Sequence, residues 1–154
     1  MQQYELTEYI SNSLTQVFAP ARGQRVKYTT NVAGKIISTA NPNLDGITGT
    51  YSTAIIIGAG NGTLLQKITV QAQGTTTDGM VRLFLYNALT KSVLLFHEIE
   101  IPNKVISTGS GIDKAFSKTL NINFLLPSSF YIVASTQKAE TFNVIIEGLD
   151  TTFP

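Results

Sequence analysis

The sequence has no cysteine and no tryptophan, a single histidine, and few charges for its length. Without cysteine, disulfides, thiolate metal sites and cysteine nucleophiles are excluded, although the compartment is left open. Only 14% of the 154 residues are charged and the net charge is +1. Nothing electrostatic therefore recruits nucleic acid or an anionic membrane. The nearest approach to a basic patch, Gln24-Arg25-Val26-Lys27, reads as an ordinary solvated segment. The opening MQQYELTEY lacks the basic start and apolar run of a signal peptide. Apolar runs such as Ala54–Ile57 and Val93–Phe96 are too short to span a bilayer.

What is present is apolar and β-branched. Apolar residues make up 43% of the chain, so the polar surface must come from Thr, Ser, Asn and Gln. One domain is expected, with enough chain to bury a sizeable core.

Residues 1–31 differ in pattern from the rest. Leu6, Ile10, Leu14, Val17 and Phe18 recur at near-helical spacing within residues 4–18, before Pro20 and Gly23 break the run. This predicts a short amphipathic helix or arm. It either packs on its own domain or, since so small a stripe gains most by docking, on another subunit or partner.

From residue 32 the period becomes two. Strands are expected at Val32–Thr39, Thr50–Ile57, Leu64–Gln73, Met80–Asn87, Val93–Ile101, Leu120–Leu126, Phe130–Ser135 and Phe142–Glu147. Turn residues join them, with Asn61-Gly62 and Gln137–Glu140 read as hairpin turns and Gly148 as the release of the last strand. The longest connection, residues 102–115, has room for a small strand at Lys104–Ser107. No helical stretch falls between strands. The expected fold is an all-β antiparallel sandwich of about eight strands over residues 32–154, wound as a jelly roll.

The fourth strand is apolar on both sides. Val81, Leu83 and Leu85 share one face and Arg82, Phe84 and Tyr86 the other. One face is expected in the core and the other beneath the arm or a neighbouring subunit. Arg82 is expected to pair with Glu147 or Glu140. The candidate interface is thus Leu6, Ile10, Leu14, Val17, Phe18, Arg82, Phe84 and Tyr86.

Residues able to do chemistry are sparse. GAGNG at 58–62 has neither the order of a phosphate-binding loop nor a helix after it. His97 lies beside inward Ile99 and has no metal-ligand spacing around it. No GxSxG elbow supports a nucleophilic hydrolase. Glu98 and Glu100 share a strand face about 6–7 Å apart, which suits paired-carboxylate hydrolysis but equally any acidic solvent-facing strand. The Asn/Asp loop NPNLDG at 41–46 lacks the EF-hand ligand order. No catalytic residue, metal or cofactor is expected. Phe84 and Tyr86 could stack on a sugar, though core or interface packing is the commoner use.

Two blocks carry a resemblance. LQKITVQAQGTTTDGMVRLFLYN at 65–87 and LLPSSFYIVASTQKAETFNVIIEG at 125–148 resemble stretches of small tailed-phage and prophage proteins. In those proteins, too, a GTTTxGMVRLF stretch precedes an ending of the pattern LP, AST, AExFxVxxEG. The resemblance spans about residues 36–150 and leaves the first 35 unmatched. It implies a virion-associated β-sandwich of the head-decoration, auxiliary-capsid or head-fibre type, with no catalytic residues. The function it implies is a non-enzymatic structural protein attached to the capsid surface. Its partners would be a second or third copy of itself and the major capsid or other virion proteins. The alternative is a receptor- or carbohydrate-binding module of a phage fibre or tail, with a host glycan as partner.

Overall fold

The computed structural model describes residues 25–107 and 113–153. The expected arm or helix, with its stripe from Leu6 to Phe18, lies outside the described residues. Within them the chain is all strand and loop, with no helix. Eight strands form: β1 Lys27–Ile37, β2 Ile56–Ile57, β3 Thr63–Ala72, β4 Gly79–Asn87, β5 Val93–Ile101, β6 Ser117–Leu126, β7 Phe130–Thr136 and β8 Phe142–Thr152.

They make two four-stranded sheets, ordered β1-β8-β3-β6 and β2-β7-β4-β5, antiparallel throughout. The pairs β1/β8, β2/β7, β3/β6 and β4/β5 nest inside one another, which is the winding of a jelly roll. The core between the sheets follows the expected alternation. Ile68, Val70, Phe142, Val144 and Ile146 from one sheet meet Val81, Leu83 and Ile99 from the other, all fully buried. Leu120, Ile122 and Phe124 pack against this core from β6.

The nesting corrects two expected hairpins. β2 and β3 lie in opposite sheets, and so do β7 and β8. The turn at Asn61-Gly62 does form, with Gly62 N–H donating to the Ala59 carbonyl and Gly62 at a φ of 94°, but it carries the chain across the sandwich. The same holds for Gln137–Glu140. Turn chemistry fixes where a chain bends and leaves open which strand it meets next.

Strand limits also differ. β1 starts at Lys27, five residues before the expected boundary at Val32. The segment Lys27–Asn31 has no apolar alternation, and its strand geometry comes from backbone pairing with Gly148–Thr152. Those partners exist because β8 runs through Gly148. That glycine does not release the strand but allows close packing: a Cβ there would sit 2.9 Å from the Leu64 carbonyl oxygen. Of the expected second strand only Ile56–Ile57 has regular strand geometry. Residues 50–55 still follow β7, with Ser52 and Ile55 N–H donating to the Ala134 and Ile132 carbonyls, but the Ser52 hydroxyl replaces a main-chain acceptor for Ala134 N–H. The strand expected at Lys104–Ser107 reduces to a single bridge between Lys104 and Thr76.

Candidate interaction surfaces

β4 lies between β7 and β5, so its two faces look in opposite directions through the same sheet. Val81, Leu83 and Leu85 enter the core. Arg82, Phe84 and Tyr86 form a row on the outer face, where the structure departs from expectation. Residues 41–51 of the same chain fold over Arg82 and Phe84.

Two side chains hold that loop in shape. Asn41 is buried; its amide donates to the Thr48 and Thr50 carbonyls and its oxygen accepts from Asn43 N–H. Asp45 accepts from the Ile47 and Thr48 N–H groups, the Thr48 hydroxyl and the Tyr51 hydroxyl. These bonds, the Thr48 hydroxyl first, hold the Asp45 carboxyl well below the ordinary carboxylate range. Tyr51 then meets Phe84 edge-on, with ring centroids 5.2 Å apart. Burial is the main reason its phenol is pushed up in pKa. Gly46, at a φ of 71°, presses its backbone against Phe84 and Val93, and a Cβ would sit 2.9 Å from the Phe84 ring and closer still to Val93. Phe84 is consequently fully buried by its own chain.

Arg82 is also buried, and its partner is neither Glu147 nor Glu140. Its Nε donates to Glu98 Oε1 at 2.9 Å, because Glu98 stands directly opposite on β5. Nη1 reaches the Pro42 carbonyl at 3.5 Å. Glu147 instead faces Lys67 at 3.6 Å, and Glu140 accepts from the Thr77 N–H and hydroxyl. Tyr86 stacks on Tyr131 of β7, centroids 4.6 Å apart, and remains half-buried. Burial is the first cause of the upward shift in the Tyr131 phenol. Phe84 and Tyr86 therefore form no open stacking platform.

The other candidates are dispersed. His97 faces Leu83 across the ladder and touches Phe96 edge-on at 4.4 Å; a bulge opposite Leu83 and Phe84 makes Phe96 the extra residue and turns it inward onto Phe124. Glu98 is committed to Arg82, so Glu98 and Glu100 are not a free carboxylate pair. The Asn41 and Asn43 amides donate to the Thr48 carbonyl, leaving NPNLDG braced by its own hydrogen bonds. Among the described residues no group of three His, Asp or Glu side chains converges. A polar pocket of about 110 Å³ lies between Ser38, Thr50, Tyr51 and Ser135, whose buried hydroxyl has no protein partner.

Two exposed apolar surfaces escaped the sequence reading. Leu44 and Ile47 stand out from the rigid 41–51 loop, and Leu94 and Leu95 from the adjoining edge strand β5. Gly46 touches Val93, and Leu95 lies across the ladder from Phe84, so loop tip and edge strand share one rim of the sandwich. A signal was present: two apolar residues flank Asp45-Gly46 in a segment otherwise made of turn residues. The second surface is the outer side of β1, where Tyr28, Val32 and Ile36 are exposed. No protein-family model and no curated protein sequence matches this chain, so its functional reading rests on these surfaces and on the sequence blocks described above.

Proposed function

We propose that this protein is a non-enzymatic structural component of a phage particle, held on the capsid surface by protein–protein contacts. The observation that carries the reading is the apolar rim of Leu44 and Ile47, on a loop that Asn41 and Asp45 brace, beside Leu95 of edge strand β5. Exposed leucine and isoleucine gathered on a rigid support suit docking: burial yields roughly 25 cal/mol per Å², and little ordering entropy is lost when the support is preformed. Modest patches of this kind suffice where many copies cooperate on one particle.

The phage assignment draws on the two resembling blocks. They form β3–β4 and most of β7–β8, the four central strands of the sandwich. A dimer or trimer on the particle, in contact with the major capsid protein, fits this surface.

Quantitative mass spectrometry of purified particles tests the role. A fixed ratio to the major capsid protein is expected, and Ile47→Lys with Leu95→Glu should fold normally yet fail to co-sediment with particles. Absence of the protein from purified particles, with abundance only in the cell lysate, overturns it.

A further inference from the structure

The outer face of the β1-β8-β3-β6 sheet is apolar along one side and one end. Tyr28, Val32 and Ile36 stand in line on β1, 56%, 60% and 63% exposed. At the Lys27 end, an open trough of about 290 Å³ is walled by Val26, Tyr28, Leu64, Leu125 and Phe153. The trough crosses the sheet because Leu64 is flanked in register by Leu149 and Leu125, and Tyr28 by Thr151. Elsewhere the face turns polar, with Lys67 on Glu147 and Gln73 on Asn143. The uncovered apolar surface is thus confined to the edge and corner where the chain enters from residue 24.

We propose that residues 4–18 of the same chain lie on this surface, setting Leu6, Ile10, Leu14, Val17 and Phe18 against the β1 row and the trough. The lengths agree: fifteen helical residues span roughly 22 Å, and Tyr28 to Ile36 along a strand spans about 26 Å. Residues 19–25 tether the two, and Pro20 and Gly23 supply the reversal. Seven residues reach about 23 Å when extended, enough for the stripe to fold back along β1. So short a stripe is marginal as a free helix. A short tether gives it an effective concentration of about millimolar at its own sheet, which favours its own chain over a second copy. This docking is independent of the role on a particle, and its test is read on the isolated protein.

The lack of native cysteine makes the experiment clean. In the full chain, Ile10→Cys is paired in turn with Tyr28→Cys, Val32→Cys and Ile36→Cys, and each purified variant is oxidised at low micromolar concentration. At least one pair should give a monomeric disulfide, seen on a non-reducing gel and as a linked peptide by mass spectrometry. The control pair Ile10→Cys with Leu89→Cys, at an exposed turn of the other sheet, should give none. A disulfide-linked dimer would assign the surface to the arm of a second copy, and no crosslink, or equal crosslinking of the control, would leave the arm undocked; each overturns the proposal. A second reading needs no crosslink. Leu14→Trp, the only tryptophan, should emit to the blue, and should shift red by at least 5 nm when Tyr28, Val32 and Ile36 are changed to Ser. Unchanged emission, with circular dichroism showing both variants folded, also overturns it.

Discussion

Arg82 and Glu98 stand directly across β4 and β5, with Nε and Oε1 2.9 Å apart, the guanidinium end buried and the carboxylate partly in water. The side-chain exposures are 7% and 41%, so the pair is asymmetric. Removing the glutamate leaves a buried charge with one weak contact to Pro42. Removing the arginine frees a carboxylate that water can serve. Glu98→Ala should therefore destabilise by about 1–3 kcal/mol, below the cost for a fully buried pair because solvent screens Glu98. Arg82→Met, which keeps the apolar stem, should cost less. Urea unfolding of both singles and the double variant checks this, and the double should lose less than the sum.

Phe84 gives the test of where its cover comes from. Phe84→Ala should cost about 3–5 kcal/mol, as for other buried aromatics. The loss should be independent of protein concentration, since the covering residues belong to the same chain. Tyr51→Phe should be mild and Tyr51→Ala severe, because edge contact with Phe84 matters more than the 3.2 Å bond to Asp45. Denaturant midpoints at two concentrations a hundredfold apart read both points.

The acid limit of the 41–51 loop follows from Asp45. Its folded pKa is depressed, so its stabilising effect is complete above the unfolded value of about 3.9 and is lost as pH falls from there through the folded pKa. The N–H groups of Ile47 and Thr48 should lose exchange protection below about pH 4, after correction for intrinsic rates. Asp45→Asn should remove that pH dependence and leave the loop less protected at neutral pH. Hydrogen exchange read by NMR distinguishes the two proteins.

Two glycines should respond in opposite ways. Gly148→Ala forces a Cβ against the Leu64 carbonyl between two paired strands and should cost about 1–3 kcal/mol. Gly74→Ala meets nothing within 4 Å and should be neutral or stabilise by up to about 1 kcal/mol through the unfolded chain. Thermal unfolding of the two variants side by side gives the comparison.

The alternation of apolar residues was enough to read most of the sandwich. Ile68, Val70, Phe142, Val144 and Ile146 were legible as core because strand side chains alternate and only one face of each was apolar. The doubly apolar β4 was legible as a strand with one face in the core and the other under cover, because both of its faces carry apolar side chains. Pattern could not show β1 at Lys27–Asn31 or β8 beyond Gly148, because main-chain pairing alone makes those segments strands. Nor could it show that β2 and β3 separate into opposite sheets, since a turn sequence sets a bend and not its destination.

At the candidate surfaces the division is sharper. The sequence by itself determined that Arg82, Phe84 and Tyr86 needed cover, because their strand is apolar on both sides. Only the tertiary structure decided what the cover is. A turn-rich segment reads as solvent-facing, yet Asn41 and Asp45 satisfy its main chain internally and so let it lie over an aromatic ring. The same folding brings Glu98, sixteen residues away in sequence, opposite Arg82, and leaves Glu147 to Lys67. Local periodicity records which faces are dry; the order of strands in the two sheets decides which residues meet there.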